Sequence, residues 1–303
     1  MIGKDHYGDP SAELDAIRSS PTEVASERGL LWVTGSDAVS FLQGLVSQDV
    51  EAMIPGEVAR SMLMTPQGRL EALLWLLRDD GRVGLVTDGS ADSMAETLGY
   101  YRIRVDADIT VDQRTPRELW GPGVDELCDV AAPLRWHDRD DTIVASIPLG
   151  SLPRVVVFGE LPVSGIPHAG RLAADAVRIA QAEPEIGVDL DEKTIPQESG
   201  LVPDSVSFTK GCFLGQELVA RIDSRGRVNR QLRVVELDGP VDEGATVLVD
   251  GDVVGTLTSV TSLTHPPIGM GLLHRDAEPG APVEVSDGDE RVGGSVRVEG
   301  RAE

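Results

Sequence analysis

The sequence predicts an α+β protein that ends in an antiparallel β-barrel. Three observations carry this. Through most of the chain, short apolar runs closed by Gly or Pro turns alternate with amphipathic stretches of helical period. From Arg227 onward the helical stretches stop, and β-branched, Gly-punctuated runs follow one another at strand length. The chain has 303 residues and is 41% hydrophobic, which is enough for two or three separate cores. The expected organisation is an α+β body over 21–226, in two subdomains that meet near 110–117, followed by a barrel over 227–303.

The elements can be taken in order. Residues 1–20 are polar and are expected to be frayed. Leu30 to Gly35 is an apolar run that stops at a turn. Ser36 or Asp37 then caps a helix on which Val39, Leu42 and Val46 share a face. SMLM, the PQG turn and RLEALLWLL predict a hairpin, and Asp79 to Arg82 a second turn before the strand VGLVTD. SADSMAETLGYY predicts a helix and RIRVDADITV a strand. A GPG turn after ELW leads into a short helix that carries Cys128 among apolar neighbours, so Cys128 is read as core. SLPRVVVFG predicts a buried strand, 160–168 a Pro/Gly loop, and AGRLAADAVRIAQA a helix stopped near Pro184. Beyond Arg227, six short runs ending at RVGGSVRVEG predict the barrel.

Composition excludes several function classes. Lys plus Arg number 27 against 51 Asp plus Glu, a net charge of −24, which opposes binding to phosphate backbones, so no direct nucleic-acid partner is expected. The one basic concentration is Arg221, Arg225, Arg227, Arg230 and Arg233; it suits either a small polyanion or an ordinary ion-paired surface. Two cysteines 84 positions apart form neither a disulfide framework nor a metal-ligand spacing, and no metal site is expected. Low cysteine use, no signal-peptide pattern at the start and no long apolar stretch predict a cytoplasmic protein without membrane contact. There is no P-loop, no dinucleotide-binding glycine fingerprint and no H-E-x-x-H.

The chemistry concentrates in KGCFLGQE, 210–217. SVSF before it predicts a short strand and GQELVARI after it a helix, with a permissive Gly211 in the turn between. Cys212 would then lie near a helix N-terminus, with Lys210 two residues away, and both effects raise the thiolate fraction. A free cysteine is equally at home as a small buried hydrophobe. Cys212 and Lys210 are the candidate reactive pair, and Gly211, Phe213, Gly215, Gln216 and Glu217 are the candidate loop-shaping residues.

KGCFLGQE closely resembles the K-G-C-[YF]-x-G-Q-E motif of the YgfZ family, folate-binding proteins of iron–sulfur cluster assembly or repair that are related in fold to the glycine-cleavage T-protein. RGLLWVTGSDAVSFLQGLVSQDV (28–50), TPQGR (65–69), IPQE (195–198) and VARIDSRGRVNRQL (219–232) are similar to further family segments and occur in the same order. The resemblance implies a three-domain, T-protein-like arrangement with two α+β subdomains interleaved in sequence and a C-terminal barrel. It also implies tetrahydrofolate or a folate derivative as cofactor, and iron–sulfur proteins or the cluster-assembly machinery as partners. Arg28, Arg221, Arg230 and Glu198 are the folate contacts assigned on this basis.

The same resemblance marks a departure. The T-protein places an Asp beside the reacting folate nitrogens and a Glu against the pterin; the corresponding positions here are Ala72, in QGRLEAL, and Ala180, in VRIAQA. Glu71 should point away from Ala72 on an alternating strand, and Gln181 and Glu183 are the nearest polar substitutes for the lost Glu. Three readings remain. The first is a folate-linked accessory factor for iron–sulfur proteins that acts through Cys212 at the rim of a central pocket and supports tRNA modification only indirectly. The second is a folate-dependent aminomethyltransferase or other one-carbon transferase of the T-protein type. The third is a binding module without cysteine chemistry.

Overall fold

The computed structural model describes residues 4–160, 163 and 165–298, with only the backbone of Arg225. Positions 161, 162 and 164 of the expected 160–168 loop lie outside the described residues.

The N-terminal segment is not frayed. Helix α1 (Pro10–Ser19) has Asp9 as N-cap, its side chain accepting from the Ser11 N–H. Its apolar face buries Leu14 and Ile17. The Glu13 carboxylate accepts the N–H groups of Tyr7, Gly8 and Gly170, tying the segment down. Strand β1 (Thr22–Val24) follows, then β2 (Gly29–Thr34), α2 (Ala38–Gln43), β3 (Val58–Met64), β4 (Leu70–Arg78), β5 (Arg82–Thr87), α3 (Ala91–Tyr101) and β6 (Asp108–Val111). The strand expected over 102–111 is thus only its last four residues: Arg102 closes α3, and Arg104 takes a positive φ of 58° that breaks extended geometry.

The next group is β7 (Pro116–Trp120), α4 (Val124–Leu127), β8 (Trp136–Arg139), β9 (Thr142–Ser146), β10 (Arg154–Phe158), β11 (His168–Ala169) and α5 (Arg171–Ala180). A 3-10 turn at Pro196–Ser199 precedes α6 (Val202–Ser205) and α7 (Gln216–Arg225). The remainder is all strand: β12 (Arg230–Leu237), β13 (Thr246–Val249), β14 (Asp252–Thr256), β15 (Ser259–Thr261), β16 (Ile268–His274), β17 (Pro282–Asp287) and β18 (Glu290–Val296).

These strands form three sheets, ordered β3-β4-β5-β2-β6, β11-β1-β7-β10-β9-β8 and β14-β13-β17-β18-β12-β16-β15. The chain therefore contributes β1 to the second sheet, builds the whole of the first, and then returns to complete the second. The first two sheets pack face to face through Leu30, Trp75 and Val86 on one side and Ile143, Val156 and Phe158 on the other. Trp32 and Trp136 meet across this layer with ring centroids 5.5 Å apart. The outer face of the first sheet is covered by α2 and α3 through Leu42, Met94 and Leu98. The C-terminal sheet is antiparallel throughout and curls about its own core of Val235, Val247, Leu257 and Val285. It stays open at β14 and β15, so it is a half-barrel.

The first and third sheets converge on one apolar core. Met62, Met64, Leu70 and Leu73 from the first sheet meet Leu232, Val234, Ile268 and Met270 from the third, with Ile179 of α5 and Val219 of α7 between them. Each fully buried side chain of this size stabilises the fold by about 1.5–3 kcal/mol. Leu70 and Leu73 both enter this core, while Ala72 packs against the core on the opposite face. A register shift between Leu63 and Met64 produces this break in alternation. Glu71 is the extra residue, and its charge acts on Tyr101, which packs beside Ala72. The expectation that Glu71 points away from Ala72 fails because a β-bulge suspends strict alternation.

Candidate functional site: the 210–217 loop

The four segments singled out in the sequence come together around the 210–217 loop. The Lys210 ammonium donates to the carbonyls of Gln43, Val46 and Gln48 at 2.7, 2.7 and 2.8 Å. Leu214 N–H donates to Gly44 at 3.1 Å, and Ser207 N–H to Ser47 at 3.0 Å. The Ser47 hydroxyl donates to the Ser205 carbonyl at 2.6 Å. These bonds take the Ser205 carbonyl and the Ser207 N–H, and the segment pairs with no strand. The expected SVSF strand is instead the last residue of α6 followed by irregular chain.

The turn opens at Gly215, not at Gly211. Gly215 takes φ +76°, and a Cβ there would sit 2.7 Å from the Thr65 carbonyl oxygen and 3.0 Å from Gly68 Cα. Gly68, in the TPQGR turn, also has φ +76°, and its Cβ would meet Leu218 Cβ at 2.7 Å. The two glycines let the hairpin turn and the octapeptide touch, which no other residue pair allows. Gln216 accepts the Phe213 N–H at 2.9 Å and closes the loop. Phe213 packs against the core shared by the first and third sheets and Leu214 against the core beneath α2. The IPQE segment joins through Gln197, whose amide donates to Val219 at 2.9 Å, while Leu70 N–H donates to Thr194 at 2.9 Å.

Phe213, Leu214 and Gln216 are thereby committed to holding the loop, whereas Glu217 sits exposed in the first turn of α7. Gly211 has open space where a Cβ would be. Cys212 is exposed and free, four residues ahead of α7. Cys128, in contrast, is buried, and burial followed by the Asp125 charge pushes its thiol up to about 11. It is an inert core residue, as its apolar neighbours imply.

Lys210 does not serve the thiol. Its three N–H groups are all taken by carbonyls, and its charge lies 5.2 Å from the Phe213 ring centroid. Burial pulls the ammonium down to about 8, against the opposing charges of Asp49 and Glu51. The sign follows from linkage: below pH 8 both folded and unfolded chains hold the proton, and between 8 and the ordinary 10.5 only the unfolded chain holds it fully. Stability of the wild type relative to Lys210→Met should therefore rise across that window. Parallel urea titrations at pH 7, 9 and 10.5 measure it; a flat or falling difference refutes the assignment. At neutral pH Lys210→Met should be less stable than wild type, because it leaves three carbonyls without their donor.

The remaining predicted residues do not converge on this loop. Arg230 forms a forked pair with Glu198, Nε to Oε1 at 3.0 Å and Nη2 to Oε2 at 3.2 Å, and this hydrogen-bonded carboxylate holds Arg230 above its ordinary range. Glu198 also accepts Ile195 N–H at 3.1 Å. Arg221 is exposed on α7. Arg227 lines an open groove of about 930 Å³, Arg233 is half-buried against Gln231, and the Arg225 side chain lies outside the described residues. Arg28 lies elsewhere, in a cleft of about 210 Å³, bonded to Asp88 and to Glu118 Oε1, the latter at 3.0 Å. Burial alone would lower Arg28, but Asp88, Glu118 and Glu183 outweigh it and raise it. Cys212 lines neither of these two clefts.

The polar substitutes near Ala180 are occupied as well. Gln181 accepts from Ser151 N–H at 2.9 Å. Glu183 holds Arg60 through two bonds of 2.9 and 2.5 Å, with both side chains buried. Sequence reading missed both the carbonyl cradle of Lys210 and the Arg60–Glu183 pair. Backbone carbonyls leave no residue signature, and the pair joins positions 123 apart. Among the described residues, no cluster of three or more His, Cys, Asp or Glu is placed to hold a metal, and no helix is long and apolar enough to cross a membrane.

Comparison with known proteins gives three findings. No protein-family model matches the chain. The human mitochondrial iron–sulfur cluster assembly factor IBA57 is 30% identical over 258 residues, spanning 75% of this chain and 71% of the human protein. The mitochondrial IBA57 homologue of Chaetomium globosum is 27% identical over 268 residues, spanning 75% of this chain and 59% of its own length. The chain spans about six-tenths of the length of the first curated relatives it matches. In fold, it is similar to the glycine cleavage system aminomethyltransferase T of Bartonella henselae, with a TM-score of 0.86 over 95% of this chain and 88% of that one at 18% identity.

Proposed function

Because the chain belongs to the YgfZ/IBA57 family of iron–sulfur cluster assembly factors, we propose that it acts in the assembly or repair of iron–sulfur proteins through the thiol of Cys212. The observation that carries this is the construction of the 210–217 loop. Lys210, Phe213, Leu214, Gly215 and Gln216 are all engaged in fixing it, and Cys212 and Glu217 are the side chains it presents to solvent, of which Cys212 is the nucleophile. A thiolate is both a nucleophile and a soft ligand for iron. One cysteine cannot hold a cluster alone, so the remaining ligands come from a client or carrier protein. Exposure on a rigid loop suits transient handover better than resident binding. The test is complementation of cells lacking their own homologue with wild type and Cys212→Ser, read as the activity of an iron–sulfur enzyme. Dependence of tRNA modification on this chain would be indirect, through iron–sulfur enzymes that need it.

Tetrahydrofolate is the cofactor implied by the fold, but the residues at the two pterin positions do not fit it. Ala72 packs against the core beneath α2, Ala180 packs against the shared central core, and neither supplies a carboxylate. Gln181 and Glu183 are held by Ser151 and Arg60. A pterin edge buried there would lack its acceptor, at about 1–3 kcal/mol. We therefore derive no step through folate. Ala180→Glu should tighten tetrahydrofolate binding about 5- to 150-fold by calorimetric titration, the range that this energy corresponds to. Equal affinity of wild type and variant would mean that the pterin is held elsewhere.

A further inference from the structure

The cleft around Arg154 carries an inference independent of Cys212. Arg154 is 1% exposed and lines the cleft wall. Its Nε donates to the Ile147 carbonyl at 2.8 Å, and its Nη1 lies 3.9 Å from Glu118 Oε2. Its Nη2 is buried and has no hydrogen-bond partner among the described residues. Glu118 cannot turn further toward it: Oε1 accepts from Ser26 at 2.8 Å and Arg28 at 3.0 Å, and Oε2 accepts from the Trp120 ring N–H at 2.9 Å. Burial and the like charge of Arg28 pull Arg154 down to about 10, with Glu118 opposing, so it is still cationic at neutral pH. A buried guanidinium with an unpaired N–H is costly unless something completes it.

The charge of the lining decides what that is. Seven carboxylates and four guanidiniums line the cleft, so a plain anion is opposed. Arg171 and Arg178 are already paired with Asp175, Glu185 and Asp189. Asp5 and Glu27, both exposed at the mouth, make no ion pair among the described residues. The segment that carries Asp5 lies on Gly170, where a Cβ would come within 2.4 Å of the Asp5 carbonyl oxygen, so the acidic edge is held at the opening. Val24, Leu149 and Ala174 supply an apolar wall. The volume of about 210 Å³ is smaller than that of pockets for drug-sized molecules, about 300–1,000 Å³.

The geometry points to a binding site for a small zwitterion of the α-amino-acid type, with its carboxylate on Arg154 and its ammonium toward Asp5 and Glu27. Charge-assisted bonds at both ends make each charge necessary. The test titrates the full chain calorimetrically with L-alanine, with propionate, which lacks the ammonium, and with ethylamine, which lacks the carboxylate. L-Alanine should bind, and each single-charge probe should bind about tenfold more weakly or worse, since a hydrogen bond to a charged group is worth more than one decade of affinity. Arg154→Gln should abolish the L-alanine signal; Glu27→Gln, at an exposed position that leaves the core untouched, should weaken it about tenfold. The proposal is overturned if no probe binds, if propionate or ethylamine binds as tightly as L-alanine, or if the folded variants bind L-alanine as wild type does.

Discussion

Cys212→Ser is expected to remove the ability of this chain to restore iron–sulfur enzyme activity while leaving its fold intact. The two halves of that result have separate causes. Cys212 is exposed, and its flanking residues do the holding: Lys210 through three carbonyls and Phe213 and Leu214 through two cores. Replacing sulfur by oxygen at such a position should change unfolding free energy by less than about 0.5 kcal/mol. A serine hydroxyl stays protonated at neutral pH and is a poor substitute for a thiolate toward cluster iron, so ligand and nucleophile are lost together. Enzyme activity in the complemented cells should fall about tenfold or more, to the level of the empty strain. If the variant complements as well as wild type, Cys212 is a surface residue and the binding-module reading takes its place. Lys210→Met offers an internal contrast, since it should weaken complementation by loosening the loop and should do so together with a measurable loss of stability.

The second large effect is structural and sits at Glu183. Glu183→Ala should lower unfolding free energy by about 3–5 kcal/mol, because it strands the Arg60 guanidinium, which is 4% exposed and stacked 5.3 Å from the Trp75 ring. The Arg60→Met, Glu183→Leu double variant should recover most of that loss, since an apolar pair of similar volume carries no desolvation penalty. Chemical denaturation of the three proteins measures this. A double variant no more stable than Glu183→Ala would show that Glu183 acts through something other than Arg60.

Much of the fold was legible in the sequence. The hairpin of β3 and β4, the short helix before Cys128, the buried β10 run and the succession of strands after Arg227 each follow from local period and turn residues. The failures have physical causes. Residues 10–19 looked polar because only Leu14 and Ile17 are needed to dock one face of so short a helix. The SVSF segment has strand composition, but its N–H groups at 206 and 207 go to Val202 of α6 and to Ser47 instead of to a strand. Glu71 was misplaced because a bulge adds one residue that the pattern does not reveal. In the candidate site the sequence marks the motif but not the partners: Lys210 donates to three carbonyls, Arg28 pairs with Asp88 and Glu118, and Arg230 pairs with Glu198 in a different place.

By itself the sequence determined what depends on neighbours along the chain: the helices and strands, the apolar faces they carry, the reactive residue type at 212 and the missing carboxylates at 72 and 180. These are set by periodicity, by turn chemistry and by the identity of single side chains. Only the tertiary structure decided which charges meet, since Arg60 and Glu183 are 123 positions apart and Lys210 and Gln43 are 167 apart. Such pairings depend on how three sheets settle against one another. That is fixed by burying their apolar faces, and the polar groups then take the partners that burial leaves within reach.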